Sequence, residues 1–216
     1  MEYERHYVWS VPLRIFHWVF ALSFTGLVIT GLYIHWPWTN TMLEGTNRFP
    51  MAVMRDIHFQ LGYYFLASIL LRYYLLLFGN KQERFTDFFP ISISNIKSIP
   101  KTIIHYLYLS EEHEEKPGHN CYAGLFFSFI FLLSLFQVIS GLYLLYPESP
   151  FWQGIGLSLF CSQQYARLVH YFSTYLFLMF TIAHIYIVFW NDIKCCGGIT
   201  SSIINGYKFF PKSKAP

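Results

Sequence analysis

Charged side chains are the scarcest class in this sequence. Asp, Glu, Lys and Arg make up 12% of its 216 residues, against roughly 25% in an ordinary soluble domain. So little charge cannot cover a globule with polar surface, and the long uncharged runs exclude a water-soluble core. Cysteine is also sparse. Cys121, Cys161, Cys195 and Cys196 form no Cys-x-x-Cys-His, which excludes a covalently attached c-type haem. Their spacing does not suit an iron–sulfur cluster either. Cys195-Cys196 read as small apolar residues closing a helix on the reducing side of a membrane.

What fills the chain is apolar: 54% of residues are hydrophobic and 21% aromatic. Four segments are long enough to span a bilayer, at about 14–36, 57–79, 121–146 and 165–190. The first does not read as a signal peptide, because it has no small-x-small cleavage site and runs on to the aromatic end His35-Trp36-Pro37-Trp38. It is expected to be retained. Pro37, Pro147 and Pro150 stop the first and third spans at the outer face. The loop 147–164 is too short for a domain. The sequence therefore predicts a single all-α integral membrane domain over 1–216, a four-helix bundle.

Basic residues orient it. The N-terminal arm carries Arg5 and Arg14, the loop 80–120 carries Lys81, Arg84, Lys97, Lys101 and Lys116, and the tail carries Lys194, Lys208, Lys212 and Lys214. The remaining loops hold only Arg48, Arg55 and Arg167. This positive-inside bias places both termini in the cytoplasm. The formal net charge of +3 thus reflects topology, with no nucleic-acid-binding signature. Within 80–120, apolar and basic residues alternate before the acidic run Glu111–Glu115, which reads as an amphipathic helix in the cytoplasmic interface.

A faint internal repeat runs through the chain. Val28-Ile29-Thr30-Gly31-Leu32-Tyr33 resembles Val138-Ile139-Ser140-Gly141-Leu142-Tyr143, and Arg55-x-x-His58 resembles Arg167-x-x-His170. The two hairpins differ informatively. Phe127 stands where the first hairpin has His17, and Arg72 stands where the second has His184.

Intramembrane histidines are costly and usually functional. Four fall in the spans: His17, His58, His170 and His184. His170 and His184 are fourteen residues apart, which returns both rings to nearly the same helix face, roughly 21 Å apart along the axis. Matching depths pairs His58 with His170 on the outer side and His17 with His184 on the inner side. Two bis-imidazole sites between helices are what non-covalent b-type haem needs. Hydrogen bonding to neighbouring helices, or a proton path, is the alternative for any one of them. Zinc is disfavoured, because two histidines without acidic or Cys partners bind it poorly.

Other residues follow from this frame. Gly26, Gly31, Gly62, Gly124 and Gly141 let either a flat macrocycle or a neighbouring helix approach the backbone. Arg55 and Arg167, one turn before the outer histidines, are placed for haem propionates or for snorkelling to headgroups. Arg72, late in an apolar span, poses the same choice at the inner level. Asn120, in Gly118-His119-Asn120, would sit at a helix N-terminus, where free N–H groups favour either charge on a reduced quinone or simple capping. His35 reads as part of an aromatic belt, and His6, His105 and His113 as interfacial or solvated.

Taken together, these residues resemble the b-type cytochrome subunit of membrane-bound nickel–iron hydrogenases, within a wider group that includes the formate dehydrogenase cytochrome b subunit. The likeness is carried by His6-Tyr7-Val8, Pro12-x-Arg14-Ile15-x-His17-Trp18, Ile29-Thr30-Gly31, Ile57-His58 with Gly62, and Gly79-Asn80. It continues through Gly118-His119-Asn120, the His170/His184 pair, His184-Ile185-Tyr186 and Asn205-Gly206-Tyr207. The resemblance implies two b haems ligated as paired above. It also implies electrons delivered from an iron–sulfur small subunit, with its nickel–iron large subunit, on the periplasmic side of a bacterial inner membrane. A menaquinone site near the inner haem would place Asn120 and Tyr186 close to it. No catalytic residue for hydrogen activation is expected on this chain. The alternatives are the cytochrome of a formate dehydrogenase or thiosulfate-type reductase and, from other classes, a haem-free proton-conducting membrane protein or a structural anchor.

Overall fold

The computed structural model describes residues 3–39, 49–89, 121–195 and 197–211. In chain order these form β1 (Tyr3–Tyr7), α1 (Val11–His35), α2 (Pro50–Phe78), α3 (Phe85–Phe88), α4 (Cys121–Leu145), α5 (Pro150–Phe160), α6 (Gln163–Cys195), α7 (Ile199–Asn205) and β2 (Tyr207–Pro211). Four described helices are long and apolar enough to cross a membrane: Val11–His35, Pro50–Phe78, Ala123–Leu145 and Gln163–Lys194. They coincide with the four expected spans. α2 begins earlier than its apolar run because Pro50 can open a helix, having no N–H to leave unbonded. Large apolar residues such as Leu22, Phe172, Met179 and Ile182 face outward, as they do where lipid is the solvent. Hydroxyls within the spans bond their own helix: Ser23 to the Val19 carbonyl at 2.6 Å and Ser128 to the Gly124 carbonyl at 2.6 Å. The expected interfacial helix within 90–120 lies outside the described residues.

The chain divides into two compact units. The first, Met1–Phe16 with Leu71–Leu132 and Phe180–Pro216, contains both termini. β1 and β2 pair antiparallel, Tyr3 opposite Pro211 and Tyr7 opposite Tyr207. Val8, Trp9, Leu13 and Leu75 form its buried cluster, with Phe16 and Leu71 against it. The motifs at the two chain ends meet here. The Gly206 carbonyl accepts from the Val8 and Trp9 amides at 2.9 and 3.2 Å, Trp9 Nε1 donates to Ser202 Oγ at 3.1 Å, and Arg14 Nη1 donates to the Ile204 carbonyl. Asn205 Oδ1 accepts the Tyr207 amide at 2.8 Å, an Asx turn leading into β2. Asp192 accepts from the Ile199 and Thr200 amides at 2.6 and 3.0 Å, satisfying orphan donors at the start of α7.

Gly206 has φ of +90°, and a Cβ there would meet Tyr7 Cε2 at 2.7 Å and the Trp9 carbonyl at 2.8 Å. Gly206→Val therefore combines backbone strain of about 1–2 kcal/mol with a clash that opens the junction of the termini. Its thermal midpoint in detergent is expected to fall by several degrees. Gly154→Ala is the control, since a Cβ there would meet nothing within 4 Å.

The second unit comprises His17–Leu70 and Leu133–Met179. Tyr143, Phe160 and Ala166 are buried together, with Phe136, Ile139, Leu144 and Trp152 around them. The segment after the third span is not a simple loop. Pro150 at the first helical position starts α5, which ends at Cys161 with φ of 60°, and this helix returns Phe160 to stack on Tyr143 at 6.1 Å.

Candidate functional site

The outer histidines come together in the second unit. His58 on α2 lies against α1, its Nδ1 2.8 Å from Thr30 Oγ1. His170 on α6 lies against α4, its Nδ1 2.8 Å from Ser140 Oγ. A Cβ built on Gly31 would stand 3.3 Å from His58 Cε1, and one on Gly141 would stand 3.3 Å from His170 Cε1. The sequence repeat is thus a repeat of geometry: hydroxyl, glycine, then a histidine ring from the next helix. The tyrosines that end each motif, Tyr33 and Tyr143, are both buried.

The imidazole centres of His58 and His170 are 6.4 Å apart, with their planes crossed at 68°. A ligating imidazole nitrogen lies about 2 Å from its metal and roughly 1.1 Å from its own ring centre. Two imidazoles on opposite sides of one iron therefore have centres about 6.2–6.4 Å apart. The observed spacing fits that arrangement. With Nδ1 beside a hydroxyl, Nε2 of each ring is the atom that would ligate a metal. Among the described residues no group of three or more His, Cys, Asp or Glu could hold a metal ion. Two imidazoles alone suit an iron whose other positions a macrocycle fills, and suit tetrahedral zinc poorly. Gly62, one turn after His58 on the same face, adds open space, since a Cβ there would meet nothing within 4 Å. Gly26 serves packing instead, a Cβ there meeting Leu61 Cδ1 at 2.5 Å.

The residues expected around the inner site are placed as follows. His17, in the second unit, packs its ring edge-on to Trp18 at 5.4 Å. His184, in the first unit, stacks on Phe180 at 5.5 Å and meets Phe127 at 5.7 Å. Phe127, the counterpart of His17 in the repeat, is thus a ring neighbour of His184. Arg72, the counterpart of His184, does not reach outward. It is 2% exposed, donates from Nη1 to the Glu83 carbonyl at 3.0 Å and lies 4.2 Å over the Phe88 ring. Snorkelling is therefore not its role. Tyr186 is exposed, and Asn120 lies outside the described residues.

Arg55 and Arg167 are both exposed, one turn before the outer histidines. Arg55 lies 5.9 Å from the Phe59 ring centre, and Arg167 Nη1 donates to Gln164 Oε1 at 3.1 Å. His35 stacks on Tyr171 at 3.8 Å, in keeping with an aromatic end to the first span.

Sequence reasoning missed two supports. Gln137 Nε2 donates to the His170 carbonyl at 3.0 Å, and its Oε1 accepts from Ser173 Oγ. A lone amide in an apolar span, where the repeat has Leu27, was the available signal. Glu83 is 1% exposed and accepts from the Ser10 amide at 2.8 Å and the Asn80 amide at 3.1 Å. Only the neighbouring Gly79-Asn80 hinted at it.

The chain is similar over most of its length to several known proteins. The probable Ni/Fe-hydrogenase 1 B-type cytochrome subunit of Escherichia coli K12 is 31% identical over 94% of this chain and 90% of its own length. The probable Ni/Fe-hydrogenase B-type cytochrome subunit of Rhodobacter capsulatus is 30% identical over 94% of this chain and 81% of its own. The corresponding protein of Cupriavidus necator is 29% identical over 94% and 87%. Residues 8–206 match prokaryotic cytochrome b561, and the chain, with its four apolar helices, belongs to that family of multi-pass membrane cytochromes.

Proposed function

We propose that this chain is the di-haem cytochrome b subunit of a nickel–iron hydrogenase in a bacterial inner membrane. In this reading it anchors the periplasmic iron–sulfur and nickel–iron subunits and carries their electrons inward to menaquinone. The observation that carries the reading is the 6.4 Å spacing of His58 and His170, each ring anchored through Nδ1. His58 and His170 hold the outer haem, and His17 and His184 hold the inner one, as their depths along the spans suggest. When bound, each haem supplies a one-electron ferric/ferrous couple.

The protein's own groups do the rest. Thr30 and Ser140 hold the outer rings by hydrogen bonds, and Gly31 and Gly141 let those rings lie against the helix backbone. Arg55 and Arg167 offer guanidinium groups for propionates beside the outer pair, and Arg72 brings a guanidinium to the inner level. Tyr186, exposed two residues after His184, and Asn120 would contact the quinone, which draws protons from the cytoplasm. Charge moved inward against an inside-negative potential stores roughly 2.3 kcal/mol per electron per 100 mV.

The relatives' names, together with the depth-paired histidines, support this reading over a haem-free proton conductor. His17→Ala and His184→Ala are each expected to remove the inner haem while sparing the outer haem's spectrum. Menaquinone reduction by the purified complex should fall by more than the roughly 10- to 100-fold that second-shell changes cause. Retention of both haems in both variants would overturn the inner assignment. A molybdopterin large subunit co-purifying in place of a nickel–iron one would overturn the partner.

A further inference from the structure

We propose that Thr30 and Ser140 are positioning residues that set the tautomer, orientation and donor strength of His58 and His170, and through them the outer haem's potential. The inference rests on the outer-haem reading above and adds a role for two hydroxyls that do not themselves touch the iron.

Each hydroxyl has one proton, with carbonyl oxygen of its own helix on one side and a ring nitrogen on the other. Thr30 Oγ1 lies 2.7 Å from the Gly26 carbonyl and 2.8 Å from His58 Nδ1. Ser140 Oγ lies 3.0 Å from the Gln137 carbonyl and 2.8 Å from His170 Nδ1. A carbonyl can only accept, so a hydroxyl that gives its proton to its own helix turns its oxygen toward the ring as an acceptor for Nδ1–H. In that arrangement Nδ1 carries the proton, and Nε2 carries the lone pair a metal needs. The helix behind each hydroxyl is rigid, so the ring's rotation is fixed as well. The adjacent glycine reinforces this, because its missing Cβ leaves the ring in contact with the backbone at Cε1.

Independent support comes from the comparison of the two hairpins. They have diverged at His17 against Phe127 and at Arg72 against His184. Both nonetheless present a hydroxyl followed by glycine to a histidine ring at the same 2.8 Å. General packing does not require a hydroxyl in these places, since each could bond its helix carbonyl without a ring beside it. What the ring gains is an acceptor at Nδ1, which raises the basicity of Nε2 and favours ferric iron.

The test uses the intact complex, with Thr30→Val and Ser140→Ala set against the hydroxyl-preserving Thr30→Ser and Ser140→Thr. Redox titration, low-temperature EPR of the outer haem and haem stoichiometry are read together. Thr30→Val and Ser140→Ala are each expected to shift the ferric/ferrous balance roughly tenfold toward ferrous, an upward move of about 59 mV for one electron. The crossed-plane EPR signal should broaden as the rings loosen. The hydroxyl-preserving variants should stay at wild-type values. Loss of haem in Thr30→Val but not in Thr30→Ser also supports the proposal. Unchanged potential and EPR in both hydroxyl-free variants overturn it. His58→Ala is the control for the underlying assignment: outer haem retained in that variant would sink the outer-haem reading, whereas outer haem lost there with hydroxyl-free variants unchanged sinks only the role given to Thr30 and Ser140.

Discussion

His58→Ala and His170→Ala are each expected to lose about half of the chain's haem, leaving a bis-histidine signal from the inner site alone. The two rings stand at ligating separation, 6.4 Å between centres, and each is fixed by a hydroxyl on the neighbouring helix of its own hairpin. His35, the other histidine near that end, is occupied in a stack with Tyr171. The cradle itself survives the substitution: in His170→Ala, Ser140, Gly141 and Gln137 still outline the space of the missing ring. Added imidazole should therefore restore much of the lost haem in that variant. Full haem content in both alanine variants, by pyridine haemochrome assay per chain, would remove the outer site.

Glu83→Ala is expected to give the largest loss of stability away from the histidines. Its carboxylate is buried and serves two backbone donors at once, Ser10 at the entrance to α1 and Asn80 just after α2. Its own carbonyl receives Arg72 Nη1, and Arg84 Nε donates to the Gly79 carbonyl at 2.7 Å in the same turn. Removing the carboxylate leaves two part-buried N–H groups without that acceptor, at up to about 1–3 kcal/mol each. For a chain of this size a total of about 2–6 kcal/mol corresponds to a midpoint lowered by roughly 4–24 °C. Glu83→Gln keeps one acceptor oxygen and should lose about half as much. Thermal unfolding in detergent, followed by tryptophan fluorescence, measures both. Equal midpoints for wild type and Glu83→Ala would show that the carboxylate does not hold this junction.

The spans were legible in the sequence because a bilayer reads composition and length, and both survive without tertiary information. The meeting of His58 with His170 was legible as well. Thr30-Gly31 and Ser140-Gly141 recur at an offset of 110, and His58 and His170 at 112, so one hairpin explained the other. The roles of the hydroxyls and of Gln137 were not legible. A serine or threonine in an apolar helix ordinarily bonds its own backbone, and only coordinates reveal a ring on its other side. Glu83 and the β1–β2 pairing escaped for a different reason. Their partners lie 73 residues away for Ser10 and about 200 for the strands, and no local periodicity encodes such contacts. Helix α5 was masked by its own signals, since two prolines and two glycines read as a loop until Pro150 is placed at a first helical position. Arg72 shows the limit of depth arguments. The sequence placed it near an interface, whereas buried partners, the Glu83 carbonyl and the Phe88 ring, decide where its guanidinium goes.

Haem counted per chain in the purified complex, with a redox titration of the same sample, decides whether two haems are held. Two low-spin b haems per chain are expected, resolved as separate one-electron steps, the outer one sensitive to His58 and His170 and the inner one to His17 and His184. A colourless chain after haem-replete expression, or a single b haem after full reconstitution, would contradict that expectation.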